Sequence, residues 1–431
     1  MRSRAGIKFL IWTMLTLIIC GGATWFVGQN FEKLGTYTVR RIAKKLDIKV
    51  PSSRPLTPAE RAAAKAEAAA WKVKFLAEFP ALMVAERPVA AEENGFLLLY
   101  QLGSSSQSDS LSISEEFKQI LNGLAPWDPE AAKRCLTEHA ELVSKIEHIA
   151  ALLTRSSSNM PADYVGFISG RAGKNGCDIL LLKARLAAEA RDQTETLRLV
   201  SAAGNLGCHF HDIESPSLLS ETISILIDLS IKRTAFKTLL PALGKSADLD
   251  QWKSELDRKI YCPTELAKVV RGEWNIGADL MAFPLLAISE KLREMPDAEA
   301  VSRCYSASYN QCVSKLPSRS FADLLTYDLI LPGTVSHLSE EGRKIINDIS
   351  IGSQSWSKGY VRSAAVHHQY QAAMELLIQE KTGATLTSAE ADRVTRDPGS
   401  GLPFVFDAAS RKLATPLSAT ALDLEPLALP W

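Results

Sequence analysis

Cys208-His209-Phe210-His211-Asp212 is the densest run of metal-ligating side chains in this 431-residue sequence. A zinc site needs about three or four such groups converging on one point. On a helix, residues two apart face different sides, so His209 and His211 diverge there and converge only in a loop. Gly170-Arg171-Ala172-Gly173-Lys174-Asn175-Gly176 has the glycine and lysine content of a phosphate cradle. A P-loop also requires glycine where Ile168 stands, and serine or threonine where Asn175 stands. The run therefore reads as a glycine-rich connector. His367-His368 falls inside a predicted helix and reads as packed or solvated.

Ser355-Trp356-Ser357-Lys358 fits the S-x-x-K of serine penicillin-binding enzymes, and Lys381-Thr382-Gly383 fits their K-T-G. That chemistry needs K-T-G on a strand facing the serine. Here it ends a predicted helix, and no S-D-N lies between the two motifs. An envelope hydrolase using a metal cluster near Cys208–Asp212, or the Ser355/Lys358 pair, is thus the alternative reading. The leading one assigns no catalytic, cofactor-binding or metal residue. Of seven cysteines, Cys20 sits in an apolar segment and six lie beyond it, none in close C-x-x-C spacing. Disulfides and buried thiols both fit. If the body is exported, Cys304 and Cys312 are the expected pair, since they are close in sequence within a stretch that reads as irregular.

These residues need a body to position them, and the sequence places that body at a membrane. Residues 7–28, from Ile7 to Gly28, carry one formal charge, Lys8, and the next is Glu32. About 20 apolar residues span a bilayer as a helix, and Trp12 and Trp25 stand near the two interfaces. A cleaved signal peptide is the rival, with Arg2, Arg4 and Lys8 before the apolar run and Gly21-Gly22-Ala23 after it. The expectation is an uncleaved single-pass anchor with tail 1–6 inside and the body exported to the periplasm. Lys33, Arg40, Arg41, Lys44 and Lys45 oppose that orientation. Segment 29–56 is basic and juxtamembrane. Val39, Ile42 and Leu46 would let it lie along an anionic surface, or it extends the helix in solvent. Lysine plus arginine equals aspartate plus glutamate, so no basic excess points to nucleic acid.

The remainder is patterned for helix. Thr57-Pro58-Ala59-Glu60 opens one, with Trp71, Phe75 and Phe79 as its buried stripe. Further helices are expected over 92–102, 128–154, 178–190, 194–203, 218–240, 249–260, 264–281 and 357–381, the last stopping at Gly383. Breaks at Gly103–Ser108 and Ser156–Pro161 divide the body into an N-terminal helical subdomain, 57–160, a main helical domain, 161–385, and a tail, 386–431. No fixed repeat period emerges. The fold class is mainly α: a transmembrane helix, then an irregular bundle or helical-repeat-like body, then a short β-like tail. In that tail Asp397-Pro398 starts a turn, Gly399 and Gly401 permit positive φ, and Leu402, Phe404 and Phe406 alternate onto one face. The turn is expected to dock on the helix ending at Lys381.

Asp397-Pro398-Gly399-Ser400-Gly401-Leu402-Pro403-Phe404, preceded by the helix, Gly383 and Leu386, resembles the ending of a broad group of membrane-anchored helical proteins of planctomycetes and verrucomicrobia. Gly399 stands where that group has phenylalanine, and Phe406 where tyrosine is common. Glu93-Asn94-Gly95 with Tyr100, and Arg271-Gly272-Glu273, also match positions in the group. The resemblance covers about a fifth of the chain and implies an envelope protein with a helical body and no known activity. The expected function is a membrane-tethered interaction or scaffold protein of the bacterial cell envelope, with the membrane and an unidentified envelope protein as partners.

Overall fold

In a computed structural model of the chain, residues 58–104, 114–158, 160, 166–288, 298–327, 338–383, 394–417, 422 and 424–431 are described. The predicted transmembrane helix 7–28, tail 1–6 and basic segment 29–56 lie outside those residues. Among the described residues no helix is long and apolar enough to cross a membrane. The body is mainly helical and closes with a small antiparallel sheet.

Helix α1 spans Pro58–Glu78, α2 Gly95–Ser104, α3 Glu115–Leu121, α4 Pro129–Glu138 and α5 Ala140–Ala151. Asp128 starts α4 as expected, its carboxylate accepting from the N–H groups of Glu130 and Ala131. The expected single helix over 128–154 divides at His139, whose backbone leaves helical geometry. Next come α6 (Gly166–Glu189), α7 (Gln193–His211) and α8 (Leu218–Thr234), which fold back on one another as consecutive hairpins. Pro241 has no N–H for the carbonyl of Lys237, and α8 widens into a π turn over Ala235–Leu239 before continuing over Leu240–Leu243. The Arg185 guanidinium donates to the Thr238 carbonyl in that widened turn.

Gly170, Gly173 and Gly176 do not form a connector. They lie within α6, one turn apart, on the face that meets neighbouring helices. A methyl at Gly173 would overlap the Phe210 ring and one at Gly170 would overlap Ile223, so glycine here permits close helix approach.

Helix α9 is Leu249–Leu256, α10 Pro263–Ile288, α11 Ala298–Lys315, α12 Phe321–Leu324 and α13 Glu340–Lys381. The stretch expected to be irregular therefore contains α11. Cys304 and Cys312 sit on that one helix, about 12 Å apart at 1.5 Å per residue. A disulfide tolerates only ~7 Å between Cα atoms, so this pairing is ruled out, and no disulfide joins the described cysteines.

Two apolar cores result. The first is filled from α2–α9, the later part of α13 and the tail, with Leu180, Leu206, Phe210 and Trp252 fully buried. The second is filled from α1, α10, α11 and the earlier part of α13, around Trp274, Tyr305, Tyr309 and Tyr360. Residues of 57–160 enter both: Phe75 and Leu82 the second, Phe96 and Ile146 the first.

The tail docks on α13 as expected. Strand β1 (Val405–Asp407) pairs with β2 (Lys412–Ala414), and β2 with β3 (Leu427–Ala428). Phe404 and Phe406 are buried in the first core, while Leu402, expected beside them, stays 42% exposed. Gly401 uses positive φ and Gly399 does not. Gln369 on α13 donates to the carbonyls of Leu413 and Glu425, and Arg411 pairs with Glu380 through both nitrogens at 2.7 and 2.8 Å.

Candidate functional site, a charged corner between helices

α7 ends at His211, the chain turns through 212–217, and Ser217 starts α8 by accepting from the N–H of Ser220. The run 208–212 thus closes a helix, and its two histidines face opposite ways. His209 points into the first core, where Nε2 lies 2.9 Å from the carbonyl of Ile149 and the ring rests on Gly95. That carbonyl can only accept, so Nε2 carries the proton. Burial holds its pKa down at about 4, leaving the ring neutral. His211 points toward α10. Its Nδ1 is 2.6 Å from Glu221 Oε2 on α8, and its Nε2 is 3.1 Å from Glu265 Oε2 on α10. Burial works against the imidazolium, but both carboxylates outweigh it and raise the pKa above the ordinary 6.5.

Glu221 is fully buried, yet Lys259 and His211 keep it ionised against that burial and lower its pKa. Lys259 Nζ stands 3.0 Å from Glu221 Oε1 as an ion pair, and its hydrogen bond goes to Ser224 Oγ at 3.0 Å. Lys268 donates to the backbone carbonyl of His211 at 3.1 Å. Further along α8, Asp228 takes the buried Lys232 ammonium on one oxygen and the Tyr261 hydroxyl at 2.9 Å on the other. Burial presses the Lys232 pKa downward despite Asp228. Together these groups form a polar seam between the cores, bounded on α13 by Tyr360 and His367 against the Tyr261 ring.

The outside of the corner is fastened as firmly. Arg87 donates to Glu214 at 3.0 Å and to the carbonyls of Arg155 and Asp212. Asn94, fully buried, donates to the Ser156 carbonyl and accepts from the N–H groups of Leu97 and Ser156. At Gly272 an added methyl would overlap the backbone of Ser215 and Pro216, and Glu273 accepts from the first N–H of α8 at 2.8 Å. Asn94-Gly95 and Gly272-Glu273, distant in sequence, therefore both bear on the corner, the first at Ser156 and His209 and the second at 215–218.

The other candidates are not brought to it. Ser355 and Lys358 lie on α13, where Lys358 is exposed and the Ser355 side chain falls outside those described. Lys381-Thr382-Gly383 ends α13 rather than lying on a strand, and the Lys381 ammonium donates to the Ala247 carbonyl at 2.6 Å. Among the described residues no three His, Cys, Asp or Glu side chains are arranged to hold a metal ion. What the corner can do is hold charge and exchange a proton at His211.

Glu221, Lys259, Glu265, Asp228 and Lys232 were not singled out from the sequence. A signal was present: Glu221, Ser224, Asp228 and Lys232 recur at helical spacing within an otherwise apolar helix. A polar stripe on a helix this apolar marks either a wet face or a buried network. No family model matches the chain, and neither any curated protein nor any solved structure matches it.

Proposed function

We propose that the chain is a membrane-tethered helical interaction or scaffold protein of the bacterial cell envelope, anchored by residues 7–28 with its body in the periplasm. The observation that carries this reading is the fate of the densest chemical cluster. His209, His211 and Asp212 each serve packing: a core carbonyl, a two-carboxylate tie, and an ion pair with Arg155 at 3.4 Å. A hydrolase built on them would need the same groups to converge on a substrate or metal. The resemblance to the planctomycete and verrucomicrobial envelope group agrees with this reading. Three of the residue groups that carry it, at 93–95, 271–273 and 397–406, make packing contacts in the body.

The anchor supplies the first test. Deleting residues 1–28 should move the protein from the salt-washed membrane pellet to the soluble fraction, and retention in the pellet would refute a single anchor. Metal analysis and β-lactam labelling of the purified protein address the hydrolase alternative. Stoichiometric metal or a covalent adduct would replace the scaffold reading. Crosslinking from native membranes identifies the partner.

A further inference from the structure

The charged corner lies where the two cores meet. α7 fills the first core and α10 the second, while His211 at the end of α7 reaches both α8 and α10. Each ring nitrogen faces a carboxylate oxygen, and an ionised carboxylate only accepts hydrogen bonds. A ring that donates from both nitrogens is an imidazolium. Once neutral it has one N–H, and its other nitrogen turns a lone pair toward negative charge.

We propose that His211 is a proton-operated clasp: charged, it fastens α7 to both α8 and α10, and on deprotonation it keeps Glu221 and lets go of Glu265, loosening α10 from the corner. The geometry selects which bond is lost. The Glu221 contact is the shorter, 2.6 against 3.1 Å, and Glu221 is fully buried, whereas the Glu265 side chain retains 28% exposure and water can replace the ring there. The charged groups acting on the ring are Glu221 on α8, Lys259 in the 257–262 connection and Glu265 on α10. Around them, Lys268 on α10 binds the His211 carbonyl, and Tyr261 in that connection and Tyr360 on α13 lie near Glu221. Lys259 opposes the imidazolium, and the two carboxylates prevail. Because the folded state raises the histidine's proton affinity, the clasp's contribution is complete below pH 6.5. It is lost as pH rises through the folded value.

Amide hydrogen exchange on the full chain tests this, with α6 over 180–184 as internal reference for the intrinsic pH dependence. Protection over 263–271 should fall several-fold relative to α6 between about pH 6 and 9. In Glu265→Gln the two segments should keep a constant ratio. Equal behaviour of the two segments in the wild-type protein, or an unchanged fall in Glu265→Gln, would overturn the clasp. A second measurement needs no folded variant of α10: the His211 Cε1–H resonance, assigned with His211→Gln, should titrate above pH 6.5. Titration at or below that value would also overturn it.

Discussion

The two cores are built from different materials. The first is largely aliphatic: leucine, isoleucine, valine and alanine from stacked hairpins, with glycines where α6 meets its neighbours. The second gathers Trp274 with Tyr261, Tyr305, Tyr309 and Tyr360, and several of these carry polar atoms that need partners inside. Trp274 donates to Ser306 Oγ at 3.0 Å, and the Tyr360 hydroxyl meets the backbone of Cys262. An aliphatic core is held by volume and shape, so it tolerates exchanges that conserve both. A core with polar groups inside is held by particular pairings, and losing one partner strands the other. The seam lies where these two regimes meet.

The sharpest way to break this contrast is at Trp274. Trp274→Ala should cost about 3–5 kcal/mol in reversible denaturation, through the void it opens and the donor it removes from Ser306 Oγ, which keeps only its bond to the Ser302 carbonyl. Leu180→Met in the first core should cost less than about 1.5 kcal/mol. A larger loss from Leu180→Met would mean that the first core does not tolerate exchanges that conserve volume.

Acid separates the regions next. His209 is neutral in the first core, with its pKa lowered from 6.5 to about 4. Its contribution is present above pH 6.5 and declines as pH falls toward 4, by on the order of 3 kcal/mol. Denaturation midpoints measured across that window should fall, and should fall less in His209→Gln. The same slope in both proteins would place the acid sensitivity elsewhere; His367 on the seam side, held down to about 2, is one such place.

The smallest effect is expected in the tail. Gly401 has φ of +70° and open space around its Cα. Gly401→Ala should therefore cost only about 1 kcal/mol, from backbone strain alone, and a melting curve would show it. No measurable loss would mean that the turn relaxes, with Phe404 and Phe406 holding the tail by themselves.

The same contrast explains what the sequence made legible. The mainly helical class, the start of α4 at Asp128, the end of α13 at Gly383 and the docked tail follow from local rules of caps, period and turn. The glycines of α6 were misread because Gly170-x-x-Gly-x-x-Gly176 is locally a loop composition. Only Phe210 and Ile223, brought up by other helices, make it a packing face. α11 was missed for a related reason: its serines, tyrosines and cysteines give a weak apolar stripe, and the second core supplies what the stripe lacks. At the corner, the divergence of His209 and His211 followed from helical spacing. The partners of His211 did not, because Glu221 and Glu265 reach it from two separate helices, and Lys259 reaches Glu221 from a third segment.

The tail's place in the first core also bears on the order of synthesis. Phe96, Ile146 and Leu180 leave the ribosome early, yet Phe404, Phe406, Leu413, Leu427 and Leu429, which belong to the same core, leave last. Until those residues emerge, Gln369 and Glu380 on α13 lack their tail partners and the first core lacks its last apolar residues. Contacts spanning so much sequence form late and slowly. A chain stalled before residue 404 would carry its helices but not its finished interior.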